Sequence, residues 1–146
     1  MADLQFSIRS EWTGTGREGH GAIHTGEQTV EYSAPYEMGG KGQGSSPEEL
    51  LLSAVTSCYS ATLYGVLKRD GLQVSKVEVQ TQGVVTDYPL KAKFSRLIVS
   101  PTIFGGVVAN QAEYVKAANT ARERCFIGKT ILGNVEYEVG DVTVTA

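Results

Sequence analysis

Apolar and polar positions change period several times along the chain, and each change marks an element. Phe6, Ile8, Ser10 and Trp12 share one face between mostly polar neighbours, the two-residue period of a half-buried strand. Gly14, Gly16, Gly19 and Gly21 then punctuate a turn-rich stretch around Arg17. Short strands over 21–25 and 28–34, joined by a Gly26-Glu27 turn, complete an antiparallel meander over residues 1–36. The run GGKGQGSSP (39–47) has the look of a phosphate loop, but Lys41 precedes Gly42 and Gln43 where a Walker loop requires Gly-Lys-Ser/Thr. The glycines of 39–45 instead give a flexible segment that lets the chain approach a neighbour closely before a helix begins.

The start of that helix is the sharpest local signal. Ser46 is a natural N-cap, Pro47 takes the first helical position and Glu49 closes a capping box. The spacing predicts a central helix over 47–69, with Leu51, Val55, Cys58, Thr62 and Val66 as its buried stripe and Lys68, Arg69 and Gly71 at its end. Residues 72–86 alternate as a strand, Asp87-Tyr88-Pro89 forms a turn, and a second strand over 91–99 is ended by Pro101. A second helix is expected over 109–124, with Ala112, Val115, Ala118, Ala121 and Cys125 inward and Arg122 outward, and Gly128 suggests that it ends soon after Cys125. Strands over 134–139 and 142–145 close this 72–146 portion. The expected class is α+β: mainly antiparallel sheet packed on a long helix.

With 146 residues the chain is one domain, and its 41% apolar and 20% charged content fits a folded globular protein. A net charge of −3 offers no basic field for nucleic acid or anionic lipid. No apolar run reads as a membrane span and the N-terminus lacks a signal-peptide pattern, so a cytoplasmic protein is expected. His20 and His24 have no third ligand at convincing spacing, so no metal is expected.

Chemistry is left to the only two cysteines, Cys58 and Cys125. Each lies on an apolar helical stripe, where a free cysteine serves as a small hydrophobe. Yet the hydroxyls of TSCYS surround Cys58, and two inward stripes that face each other would bring the sulfurs within disulfide reach. In that case one cysteine is oxidised and the other resolves it. A mid-helix thiolate would then need a cation from elsewhere. Arg17, on its glycine-flanked loop, is either an exposed hairpin arginine or that cation, and Glu48 either suits the first helical turn or holds Arg17. Ten residues separate Glu48 from Cys58, about 15 Å of helix, so Glu48 cannot touch Cys58 of its own helix. One site using both needs a bridging arginine or a second chain. Tyr36, Met38, Tyr59, Phe104, Phe126 and Ile127 could line an apolar pocket or simply pack.

GTGREGHGAIHT, YEMGGKGQGSSPEELLLSAVTSCYSATL and the Cys125 helix with its closing strands resemble the OsmC/Ohr family of bacterial thiol peroxidases, along essentially the whole chain. The resemblance implies an intertwined α+β homodimer with two shared active sites and long helices at its centre. It matches Cys58 to the peroxidatic cysteine, Cys125 to the resolving cysteine, Arg17 to the active-site arginine and Glu48 to its acid partner. It further implies reduction of organic, lipid-type hydroperoxides, recycling by a small dithiol or lipoylated protein, and no metal, haem or flavin. Two positions depart from the family pattern: Phe126-Ile127 follow Cys125 where many members have a proline and a polar residue, and Tyr59 stands where phenylalanine is usual. The alternatives are a redox-sensing or small-ligand-binding protein without efficient turnover, and a structural dimer whose cysteines are only core.

Overall fold

In the computed structural model, which describes residues 1–146, strand pairing starts at Arg9 rather than at Phe6. β1 (Arg9–Thr13), β2 (His20–Thr25) and β3 (Gln28–Tyr32) form an antiparallel sheet in that order. The late start has a simple cause. Arg9 pairs with His24, and one residue beyond His24 the partner strand ends and the chain turns at Gly26, so residues before Arg9 have nothing to pair with. Phe6 and Ile8 are left exposed. Trp12 and Tyr32 stack at 5.4 Å between ring centroids. A Cβ on Gly19 would lie 2.2 Å from the Trp12 ring, which is why glycine stands there.

This sheet belongs to the first of two compact units, Met1–Leu51 and Leu52–Ala146. Its glycine-rich segment is pinned in place despite its flexible composition. The buried Ser33 hydroxyl donates to the Gln43 carbonyl (2.8 Å) and accepts from the Gln43 N–H (2.9 Å). Backbone N–H groups of Gly40, Gly42 and Ser45 bond to Pro35, Ala34 and Glu31. The close approach expected of these glycines is real: a Cβ on Gly40 would sit 2.3 Å from the Ala34 carbonyl oxygen.

Helix α1 (Pro47–Arg69) has the expected limits. Ser46 and Glu49 exchange capping-box hydrogen bonds of 3.1 and 3.2 Å. At the other end, Gly71 at φ 72° lets the Leu72 and Gly71 N–H groups return to the Leu67 and Lys68 carbonyls, a Schellman closure. The buried stripe differs from the expected one. It runs through Val55, Tyr59, Leu63, Val66 and Leu67, keeping Val55 and Val66 but turned by about 70° around the axis. Tyr59 causes the turn: its ring fills the core beneath α1 and its hydroxyl donates to the Ala118 carbonyl at 3.0 Å. Cys58 is thereby moved from the middle of the stripe to its half-buried edge. The mean hydropathy of α1, 1.5 over an 18-residue window, meets the length-and-composition criterion for a membrane span, contrary to the expectation of none. Its buried stripe nevertheless packs into a protein core.

In the second unit, the long central strand β5 (Lys93–Phe104) pairs antiparallel with β4 (Lys76–Thr86). On its other side it pairs in parallel with two short strands, β6 (Glu136–Val139) and β7 (Thr143–Thr145). Pro101 does not end β5 but lies buried within it. Its missing N–H falls in the gap between the end of β6 pairing at Val99 and the start of β7 pairing at Thr102, where no partner waits. Alternate residues Leu97, Val99 and Ile103 face a core completed by α1 and by α2 (Gln111–Arg124). α2 buries Tyr114, Ala117, Ala118 and Ala121, leaving Ala112 and Val115 exposed. Its rotation follows Tyr114, whose hydroxyl donates to the Gln73 carbonyl at 2.7 Å. α2 ends close to Cys125, as expected, but Gly128 is not the cause; it is buried inside a further short helix, α3 (Phe126–Ile131).

Candidate active site

The break between α2 and α3 builds the site. Cys125 leaves α2 in an extended conformation (φ −63°, ψ 105°) while its N–H still bonds to Ala121 at 2.9 Å. Its sulfur then caps α3, accepting from the Gly128 N–H at 3.4 Å, and its thiol points at the Val55 carbonyl of α1 at 3.9 Å. Val55 is one helical turn before Cys58, so the fully buried Cys125 is held against the turn that carries the other thiol. Both cysteines are reduced.

Their environments push them apart. Burial raises the Cys58 thiol, but the Ile127 N–H, the Cys125 thiol, the Thr62 hydroxyl and the Phe126 N–H together outweigh it and leave Cys58 below the ordinary thiol range. These are neutral donors; the expected cation is not what lowers it. Cys125 is raised, first by burial and then by the developing charge on Cys58, against the opposing Gly128 N–H. Ionisation therefore falls first on the more accessible sulfur, with Cys125 as a protonated donor to it. Two neighbouring titrating groups driven in opposite directions are prepared for two different tasks.

The other expected site residues are distributed as follows. Phe126 is 68% exposed and Ile127 half-buried, both in the first turn of α3 beside the thiols. Tyr59 is not a pocket wall but part of the core, bonded to Ala118. Phe104 lies at the end of β5, with the Lys76 ammonium 4.5 Å above its ring. It is seven residues, about 23 Å of strand, from the Leu97 that pairs with Tyr137, so it is not part of the thiol centre. In the first unit, Arg17 occupies a 3₁₀ turn (Gly16–Glu18), its Nε 3.4 Å from where a Gly39 Cβ would stand. Tyr36 and Met38 form another such turn, with Tyr36 78% exposed. Glu48 has one carboxylate oxygen buried without a hydrogen-bond partner and makes no ion pair with Arg17. His24 bonds to Glu11 at 2.7 Å, and no group of three or more His, Cys, Asp or Glu side chains is placed to hold a metal.

Three contributors were not anticipated: the Thr62 hydroxyl, the first N–H groups of α3, and Tyr137. Tyr137 looks like an ordinary strand core residue, and only Gly128, whose absent side chain makes room for its ring, signals the contact. Arg122, expected outward, lies 6.0 Å from that ring and donates to the Tyr137 carbonyl at 3.2 Å. A Cβ at position 128 would lie 2.2 Å from Tyr137 Cε2. Gly128→Ala should therefore lower the unfolding free energy by about 1–3 kcal/mol through overpacking, read from the denaturant midpoint.

Comparison with known proteins agrees with this architecture. The family model described as OsmC-like protein matches residues 40–140. The YmaD protein of Bacillus subtilis (strain 168), itself uncharacterized, is 31% identical over 142 residues, covering 95% of this chain and 94% of its own length. The organic hydroperoxide resistance protein OsmC of Legionella pneumophila superposes with a TM-score of 0.74 at 23% identity, over 99% of this chain and 100% of that one. The OsmC-like protein of Mycoplasma pneumoniae gives 0.79 at 14% identity with the same coverage. The α+β fold is that of these relatives, and the family match takes in the capped helix, Cys58 and Cys125 alike: this chain belongs to the OsmC family.

Proposed function

We propose that the protein is a thiol peroxidase that reduces organic, lipid-type hydroperoxides to alcohols. The observation that carries this reading is the meeting of the two free thiols where α3 starts against α1: Cys125 is buried with its sulfur on the Val55 carbonyl, and Cys58 is half-buried one helical turn further on, its ionisation favoured over that of Cys125. The Cys58 thiolate attacks the outer peroxide oxygen. An S–O bond forms, the O–O bond breaks, and the departing alkoxide takes a proton to become the alcohol. Cys125 then attacks the Cys58 sulfenic acid: the S–S bond forms, the S–O bond breaks, and hydroxide leaves with the Cys125 proton as water. A dithiol reduces the disulfide by two exchange steps, becoming a disulfide itself.

Arg17 is assigned to stabilising the thiolate and the developing alkoxide, and Glu48 to orienting it. The partnerless buried oxygen of Glu48 supports a guanidinium partner in the working state. A homodimer with shared sites is supported by the exposed Ala54, Ser57, Ala61 and Gly65 of α1, which offer a close-packing face, and by the unpaired Leu4, Phe6 and Ile8. Exposed Phe126 gives the apolar rim that an organic peroxide would meet.

The test is consumption of cumene hydroperoxide with dihydrolipoamide as reductant. Many turnovers per chain are expected. Consumption that stops at one equivalent supports instead a stoichiometric redox sensor, a reading favoured by the bulk of Phe126 where the reductant must approach. No consumption at all would overturn both.

A further inference from the structure

We propose that Tyr137 takes part in the resolving step, its buried hydroxyl donating a hydrogen bond to the Cys125 sulfur as that thiol ionises to attack oxidised Cys58. The proposal deepens the peroxidase reading and rests on it. Tyr137 is 3% exposed, and its hydroxyl lies beside the Cys125 sulfur without closing a well-formed hydrogen bond to it or to any other group in the resting protein. A buried donor left so is costly, and a neighbouring sulfur that ionises becomes the stronger acceptor that satisfies it. Gly128 fixes which acceptor. Its N–H lies on the Cys125 sulfur at 3.4 Å, and its Cα side faces the Cε2 edge of the Tyr137 ring. Both the ring and the sulfur are therefore packed around one glycine. Arg122, over the ring and bonded to the Tyr137 carbonyl, holds the tyrosine in that place.

The titrating groups around Cys125 are Cys58 and Tyr59 of α1 and Tyr137 of β6, with the Arg122 charge from α2 acting on Tyr59. While Cys58 is a thiolate, its charge keeps Cys125 protonated. Oxidation replaces that charge with a neutral S–OH, and the restraint disappears. What remains to favour the Cys125 thiolate are the Gly128 N–H and the Tyr137 hydroxyl. Tyr137 itself stays a donor throughout, since burial and the neighbouring sulfurs push its own ionisation far upward. The proton released by Cys125 leaves with the hydroxide from Cys58, so Tyr137 donates a hydrogen bond without losing its proton.

Two measurements test this. In a Cys58→Ser background, the thiolate absorbance of Cys125 is followed against pH with and without Tyr137→Phe. Loss of a hydrogen bond to a charged sulfur should raise the midpoint by about one pH unit, a tenfold smaller thiolate fraction at a given pH. Superimposable titrations would overturn the proposal. This arm needs no peroxide, so it decides the role of Tyr137 even if the peroxidase reading fails. In the otherwise native protein, Tyr137→Phe should leave sulfenate formation within about twofold and slow disulfide formation about tenfold, with trappable sulfenic acid accumulating. Equal slowing of both steps would mark a merely structural effect and count against the proposal. Should Tyr137→Phe fail to fold, site-specific fluorotyrosine at 137, a stronger donor of the same shape, should lower the Cys125 midpoint; an unchanged midpoint would contradict it.

Discussion

Cys58→Ser should abolish reduction of organic hydroperoxide, with a fall in kcat/KM on the order of 10³-fold or more, while the fold is retained. The size of the effect follows from the nucleophile. A serine hydroxyl stays protonated at neutral pH, whereas the Cys58 thiol is brought below the ordinary range because the Ile127 and Phe126 N–H groups, the Cys125 thiol and the Thr62 hydroxyl outweigh the penalty of burial. The substitution leaves the core nearly untouched, since Cys58 sits at the half-buried edge of α1 and the stripe below it is Val55, Tyr59 and Leu63. The pH dependence has a definite sign. Thiolate is the attacking form, so acid protonates it and slows the first step. Because the site lowers the Cys58 ionisation, the rate should reach its plateau at a lower pH than that of a free cysteine, which stopped-flow measurement of the single-turnover rate against pH would read.

Cys125→Ser should separate the two half-reactions. The first oxidation of Cys58 should proceed at close to the native rate, because a serine hydroxyl still offers a donor beside the Cys58 sulfur where the Cys125 thiol did. Multiple turnover with a dithiol should fall by about 10²-fold or more, since an attacking group held in place is replaced by a bimolecular encounter. Excess peroxide should then drive Cys58 to sulfinic acid, visible by intact mass, as no neighbouring thiol captures the sulfenate. A serine should be accommodated at this buried position, because its hydroxyl can accept the same Gly128 N–H.

Much of the scaffold is written in local chemistry. The Ser46-Pro47-Glu49 start and Gly71 stop of α1 are set by hydrogen bonds within a few residues, and they form where expected. The meander is equally legible, apart from its first strand, whose length depends on where β2 runs out of partners rather than on its own alternation. Features that depend on distant packing were not legible. Tyr59 rather than Cys58 takes the centre of the α1 stripe because the space above Ala118 suits an aromatic ring with a hydroxyl, and no periodicity along α1 records that space. Pro101 reads as a strand end until the gap between β6 and β7 is seen. Two helical stripes suggest that Cys58 and Cys125 meet, but two of the donors that favour the Cys58 thiolate are the Ile127 and Phe126 backbone N–H groups, which carry no residue signature. Tyr137 was hidden for the same reason: a tyrosine in a short closing strand resembles any core residue until Gly128 places its edge beside the thiol site.

The most direct measurement is a count of free thiols in the folded protein after one equivalent of cumene hydroperoxide is added under reductant-free conditions. The resting chain holds two free cysteines. Loss of both, with a peptide linking Cys58 to Cys125 recovered after digestion, is the expected result. Both thiols remaining titratable, with the peroxide unconsumed, would contradict the account.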